Sequence, residues 1–222
     1  MMTIRHHATD ETLLHYAAGR LSPAPARVVA VHLAVCRVCR DRLAAFEAVG
    51  GALLETIEPQ PMAAGAFAAA LAAIEEDAGP PRRPVRPFPR RPVARLTDEV
   101  LLPAALADCE IGPWRWVGPG LRARRIRLPE DRNARLTLLR VSPGRALPEH
   151  GHTGPEFTQV LSGSFSDAFG CYGPGDLNDT DPDIEHQPIA DPGEACICLA
   201  ALDGGMRMKS LLARLIQPFV RL

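Results

Sequence analysis

The chain has 222 residues, room for one large domain or two small ones. It is 46% hydrophobic with a formal net charge of −1, so it can bury a core and lacks the excess charge of a general polyanion binder. No run reaches the roughly 18 apolar residues of a membrane span, and "MMTIRHHATDE" has no apolar signal core, so the expectation is a cytoplasmic protein with no membrane partner.

The first third reads as helical. Thr9 or Asp10 can cap a helix that carries Leu13, Leu14 and Ala17 on one face and ends at Gly19. "LSPAPARVVAVHLAVC" opens with Ser22 as N-cap and Pro23 at the first helical position. "CRDRLAAFEAVGGALLE" continues with Leu43, Phe46 and Val49 at helical spacing. "MAAGAFAAALAAIEEDA" forms a further helix with a stripe of Phe67, Leu71 and Ile74. Such a stripe serves either as ordinary core or as a partner face.

"GPPRRPVRPFPRRPVAR" interrupts this pattern. Proline removes backbone donors and the arginines repel one another, so the segment reads as an extended spacer. It divides the chain into a helical unit at 1–79, a linker at 80–98 and a second unit at 99–222. There the period changes to two. "RLTLLRV", "EFTQVLSG", "SFSDAF" and "ACICLAAL" are short segments bounded by Gly, Pro and Asp, which suggests an antiparallel barrel or jelly roll. "RMKSLLARLIQPFV" returns to helical spacing and is expected to pack outside the barrel. The fold class is therefore α+β, with a small all-α unit followed by an all-β one.

Two clusters carry chemistry. On a continuous helix His32, Cys36 and Cys39 are i, i+4 and i+7 and share one face. Three ligands on one face leave a fourth tetrahedral position for another segment, and His6, His7 and His15 are available. Thiolates with imidazole favour zinc, and a site closed by four protein ligands is structural. A bare CxxC can also be a redox dithiol, but that motif requires a βαβ setting and this part is helical. In a reducing compartment six cysteines are thiols or metal ligands before they are disulfides.

The second cluster lies in "GRALPEHGHTGPEFTQVLSG". His150 and His152 point to the same side of a strand, and Glu156 follows at an even offset after Pro155. His186, in "DPDIEHQPIA", is the expected fourth ligand. Three imidazoles and one carboxylate suit a divalent metal: zinc is the expectation, and Mn, Fe or Ni fit the same donors. Cys196 and Cys198 are i and i+2 on a strand, so both can face the barrel interior, with Met206 and Met208 close behind. Cys109 and Cys171 receive no role.

Several of these motifs resemble known families. A histidine followed by His-x-x-x-Cys-x-x-Cys in a small helical unit resembles the zinc-binding anti-sigma domain over residues 1 to 80. His32, Cys36 and Cys39 match directly, and His7 is favoured by position over His6. Residues 112 to 205 resemble the cupin family. The spacing of His150, His152 and Glu156 matches its first motif. "YGPGD" and His186 match part of its second, while Pro188 and Ile189 stand where that motif carries an asparagine. The combination, with "MTIRHH" and "CICLAA", resembles the ChrR family of zinc-binding anti-sigma factors across nearly the whole chain. The resemblance implies that the helical unit binds an extracytoplasmic-function (ECF) sigma factor. It also implies that the cupin unit is needed to respond to singlet oxygen or related oxidants.

On this reading the chain is not an enzyme and regulates transcription through a protein partner. Direct nucleic-acid contact is not expected, because Arg37, Arg40 and Arg42 form only a small basic patch. The competing expectation is a metal-dependent cupin dioxygenase or isomerase with a helical accessory unit.

Overall fold

The computed structural model describes residues 3–77 and 100–208. The linker expected at 80–98 therefore lies wholly outside the described residues. Thr9 opens α1 (Asp10–Ala17): its hydroxyl oxygen accepts the Thr12 N–H at 3.1 Å, relieving one unpaired donor of the first turn. The helix stops before Gly19, whose φ of +64° suits a residue without Cβ. In α2 (Pro23–Val35) proline occupies the first turn as expected. Ser22 stands at the cap position, but its hydroxyl donates to Asp203 instead of capping the helix. Next come α3 (Arg37–Glu55) and α4 (Ala66–Asp77).

The continuous helix expected through His32, Cys36 and Cys39 is not formed. Cys36 has φ −96° and ψ 108°, so α2 ends at Val35 and α3 begins afresh at Arg37. The break is held from both sides. The Cys36 sulfur accepts the Cys39 N–H and so caps α3, while the Arg40 side chain donates to the Leu33 carbonyl at the end of α2. The small basic patch is thus partly used in capping, and Arg42 likewise pairs with Asp10 and the Ala8 carbonyl.

Twelve strands follow among the described residues: β1 (Glu110–Ile111), β2 (Arg115–Gly118), β3 (Leu121–Arg127), β4 (Leu136–Val141), β5 (His150–His152) and β6 (Glu156–Ser162). The remainder are β7 (Phe165–Ser166), β8 (Cys171–Tyr172), β9 (Leu177–Thr180), β10 (Ile189–Ala190), β11 (Cys196–Leu202) and β12 (Met206–Met208). The main sheet has the order β1-β3-β4-β11-β6-β9, with β2 on β3, and two small sheets, β10-β7-β8 and β12-β5, complete the barrel. All pairings are antiparallel. "SFSDAF" contributes only the two residues of β7 before turning. The helical spacing of "RMKSLLARLIQPFV" does not describe its start: Met206–Met208 pairs with β5, Met206 opposite His152 and Met208 opposite His150. A short strand buried along its length needs a ladder partner for its backbone groups. Residues 209–222, where the helix was expected, lie outside the described residues.

Alternation along the central strands sorts side chains onto two faces. Cys196 and Cys198 of β11, Leu139 and Val141 of β4, and Glu156 and Thr158 of β6 line an interior cavity. Their neighbours Ile197, Leu199, Leu136, Leu138 and Phe157 turn the other way, into one core with Val28, Val29 and Leu33 of α2. The helix therefore lies on the outer face of the sheet. This explains why "VVAVHLAV" is apolar nearly all round: a helix pressed between α3 and a sheet has little face left for water. Arg27 of α2 anchors the contact at its edge, donating to Asp108 and Glu130 at 3.0 Å and to the Ala105 carbonyl at 2.7 Å.

Because this core is shared, replacing the fully buried Leu199 by alanine is expected to lower stability by about 2–5 kcal/mol. Urea unfolding followed by far-ultraviolet circular dichroism, which weights the helices, and by Trp114/Trp116 fluorescence, which weights the sheet, should then show both midpoints shifting together. A shift of the fluorescence transition alone would mean that helices and sheet do not share this core.

Candidate metal centres

The first cluster is assembled from four short pieces of chain. His7 comes from the segment before α1, His32 from the last turn of α2, Cys36 from the break and Cys39 from the first turn of α3. One ligand atom from each lies within 4.8 Å of all the others. His7 Nδ1 is 3.2 Å from Cys36 Sγ and 3.6 Å from Cys39 Sγ, and His32 Nε2 is 3.2 Å from Cys39 Sγ. A tetrahedral zinc with bonds of about 2.0–2.1 Å to nitrogen and 2.3 Å to sulfur has N···S edges of roughly 3.5 Å, so the spacing fits that ion. His6 is not brought in: its ring stacks near Tyr172 at 4.3 Å and its Nε2 meets the Cys171 carbonyl at 3.1 Å. His15 is exposed and lies outside the cluster.

The groups around this cluster set the protonation it needs. His32 Nδ1 faces two acceptors, Gln159 Oε1 at 3.0 Å and the Gly175 carbonyl at 3.1 Å, so it carries the proton and Nε2 presents its lone pair. Burial lowers the His32 pKa and favours the neutral ring. Burial also pushes the Cys39 thiol up to about 11, so a thiolate there calls for a nearby cation. Two sulfurs and two imidazole nitrogens, all but His7 buried, suit a structural zinc site.

The second cluster sits at the end of the cavity. His150 and His152 belong to β5, Glu156 opens β6, and His186 lies on the connection from β9 to β10. All four are buried, with ligand atoms within 4.8 Å of one another. Backbone bonds in both directions between His150 and His186, at 3.1 and 3.0 Å, hold these two segments together. Glu156 Oε2 is 3.2 Å from His152 Nε2 and 3.4 Å from His186 Nε2, and the two imidazole nitrogens are 3.5 Å apart. Those are the edges of a coordination polyhedron with arms of about 2.1 Å. Burial pushes the Glu156 carboxyl up, but the hydrogen bond from His186 and the charges of the neighbouring histidines outweigh it and hold the group below its ordinary value.

Sequence reasoning missed the groups that orient these ligands. His186 Nδ1–H donates to Asp167 Oδ2 at 2.9 Å, and His150 Nδ1–H donates to the Pro148 carbonyl at 2.9 Å, which leaves each Nε2 for the cluster. The Asp167 side chain is fully buried. An Asp in the turn after β7 is an ordinary turn residue, and its role shows only in three dimensions. His152 Nδ1 is buried and has no hydrogen-bond partner among the described residues, so no hydrogen bond at that nitrogen orients the ring.

The cavity beside this cluster measures about 430 Å³. Leu121, Leu147 and Phe165 make it mostly apolar, and Cys196, Cys198 and Met206 join the lining, so both cysteines face inward as expected. The hydrogen bond with Cys196, together with burial, holds the Cys198 thiol well above its ordinary range. Cys109 is buried away from both clusters and Cys171 is exposed.

Residues 103–204 match the model of the ChrR cupin-like domain family. The chain is 42% identical over 221 residues, the full length of both proteins, to the anti-sigma-E factor ChrR of Cereibacter sphaeroides. It is also similar to ChrR in the crystal structure of Rhodobacter sphaeroides SigE in complex with that anti-sigma factor. That match has a TM-score of 0.69 and 39% identity and covers 90% of this chain and 100% of the other. A cupin protein from Ralstonia eutropha is 18% identical over 47% of this chain and 69% of its own, with a TM-score of 0.40.

Replacing Asp167 by alanine removes the acceptor that fixes His186, and metal affinity at the second cluster is expected to fall about 10- to 100-fold. Competition with a chromophoric chelator measures this. Equal affinity in variant and parent would show that Asp167 does not orient the ligand.

Proposed function

Because the chain belongs to the ChrR family of anti-sigma factors, we propose that it sequesters an ECF sigma factor through its helical unit. Release follows when singlet oxygen or a related oxidant acts on the second cluster. The family is one of regulators, and the enzyme reading gives way to it. His7, His32, Cys36 and Cys39 hold a structural zinc that fixes the angle between α2 and α3. His150, His152, Glu156 and His186 hold a second divalent ion, taken as zinc. Among the described residues no helix is long and apolar enough to cross a membrane. That agrees with action in the cytoplasm on a sigma factor.

The observation that carries this reading is the apolar surface left open at the far end of the helical unit. Val49, Leu53, Leu54 and Ile57 at the end of α3 and beyond are more than half exposed, and so is Phe67 of α4 at 71%. Leu71 and Ile74 extend the same stripe at 46% and 67%. Of the two readings open to this stripe, exposure favours the partner face: a core stripe would be covered, and a contiguous apolar face on an amphipathic helix is the usual element of a helix-mediated interface.

The direct test titrates the purified chain into sigma-dependent transcription. Inhibition that saturates near one chain per sigma factor is expected. Changing Leu71 to Glu should weaken binding by about 1–2 kcal/mol, roughly 5- to 30-fold, while leaving the metal content unchanged. A protein that never inhibits would remove the central claim. For sensing, Glu156→Ala is expected to keep inhibition but lose release under singlet oxygen generated by a photosensitiser. Normal release in that variant would take the second cluster out of the mechanism.

A further inference from the structure

The two clusters stand on opposite sides of one strand. β6 begins at Glu156, a member of the second cluster, and three residues on it places Gln159 on the outer face. Gln159 is only 1% exposed. Its amide nitrogen donates to the Val160 carbonyl at 3.2 Å, which fixes the amide so that Oε1 faces His32 Nδ1. The adjoining turn adds two more contacts to the first cluster. The Gly175 carbonyl shares the His32 proton, and Asp176 Oδ1 accepts the N–H groups of Arg5 and His6, immediately before His7. Asp176 Oδ2 in turn accepts the Gly173 N–H, so the carboxylate is bound from both sides. Asp179, on β9 beside β6, accepts from Thr9 at the start of α1.

We infer that the barrel supplies the outer shell of the helical metal site, and that Gln159 is a positioning residue for His32. This inference rests on the metal reading of the first cluster. The imidazole is aimed by acceptors that the helices themselves do not provide, and the two residues before His7 are tied by their backbone to a turn of the barrel. Retention of the helical metal therefore depends on the seating of β6, the strand that opens with a ligand of the other cluster. Displacing β6 along its own axis withdraws Gln159 from His32, so a change at the second cluster has a short covalent route to the first. It runs through three peptide units of one strand, from Glu156 to Gln159.

Cobalt substitution of the full chain tests this. The thiolate-to-cobalt charge-transfer band reports the first cluster, assigned by its absence in Cys39→Ser. Gln159→Met keeps the volume and removes the acceptor. It is expected to release the helical cobalt to a chelator about 10- to 100-fold faster, with a changed ligand-field spectrum and an unchanged second release phase. Gln159→Glu, which restores an acceptor, should recover the slow rate. Should Gln159→Met fail to fold, Gln159→Asn carries the same test with an amide one methylene too short to reach. Unchanged release and spectrum in a folded variant, with two metals in the parent, would overturn the inference. A parent that binds no cobalt through thiolates would instead overturn the metal reading on which it rests.

Discussion

Burial of β6 and β11 on both faces is the constraint on which the rest of the molecule depends. Parity sends Glu156, Thr158, Cys196 and Cys198 to the cavity and Phe157, Ile197 and Leu199 to the core under α2. A register slip of one residue would carry Glu156 into the apolar core and Phe157 into the cavity, so pairing is fixed far more firmly than in a sheet with one wet face. The same parity lets one strand serve two chemistries. Glu156 looks inward to three imidazoles, and Gln159 looks outward to a fourth, that of His32.

The two clusters use this frame differently. The helical one joins four short segments around two cysteine sulfurs and sits where two helices meet at a break. A cation bound there would hold the angle between those helices and offset the burial that keeps the Cys39 thiol well above its ordinary value. The barrel cluster has no thiolate among its nearest donors and instead opens on an apolar cavity that two cysteines and a methionine help to line. One site is thus closed by its own ligands, while the other communicates with space large enough for a small molecule.

Much of this is legible in the sequence because local spacing carries it. The i, i+2 histidines with a carboxylate at an even offset mark the barrel cluster, and proline at the start of α2 marks a helix. The break at Cys36 is not legible, because no Gly or Pro signals it. It exists because a sulfur replaces the usual cap and an arginine reaches back to Leu33. Nor are Asp167, Gln159 and Gly175, which act on histidines 19, 127 and 143 positions away in sequence. The docking of α2 had left a trace. The unbroken apolar character of "VVAVHLAV" indicates a helix covered on more than one side, but the eye is drawn instead to the proline-rich segment that separates the two units.

The uncovered stripe on α3 and α4 also has a consequence for how much of this protein a cell can hold. Large apolar side chains left in water at the end of an otherwise well-packed molecule lower its solubility, and the nearest surface able to cover them in the absence of a partner is another copy. Self-association then rises with concentration, whereas a partner present in equal amount keeps the chain dispersed by mass action. The fold thereby ties its own colloidal stability to stoichiometry, and synthesis matched to that of the partner becomes a physical requirement of the surface itself.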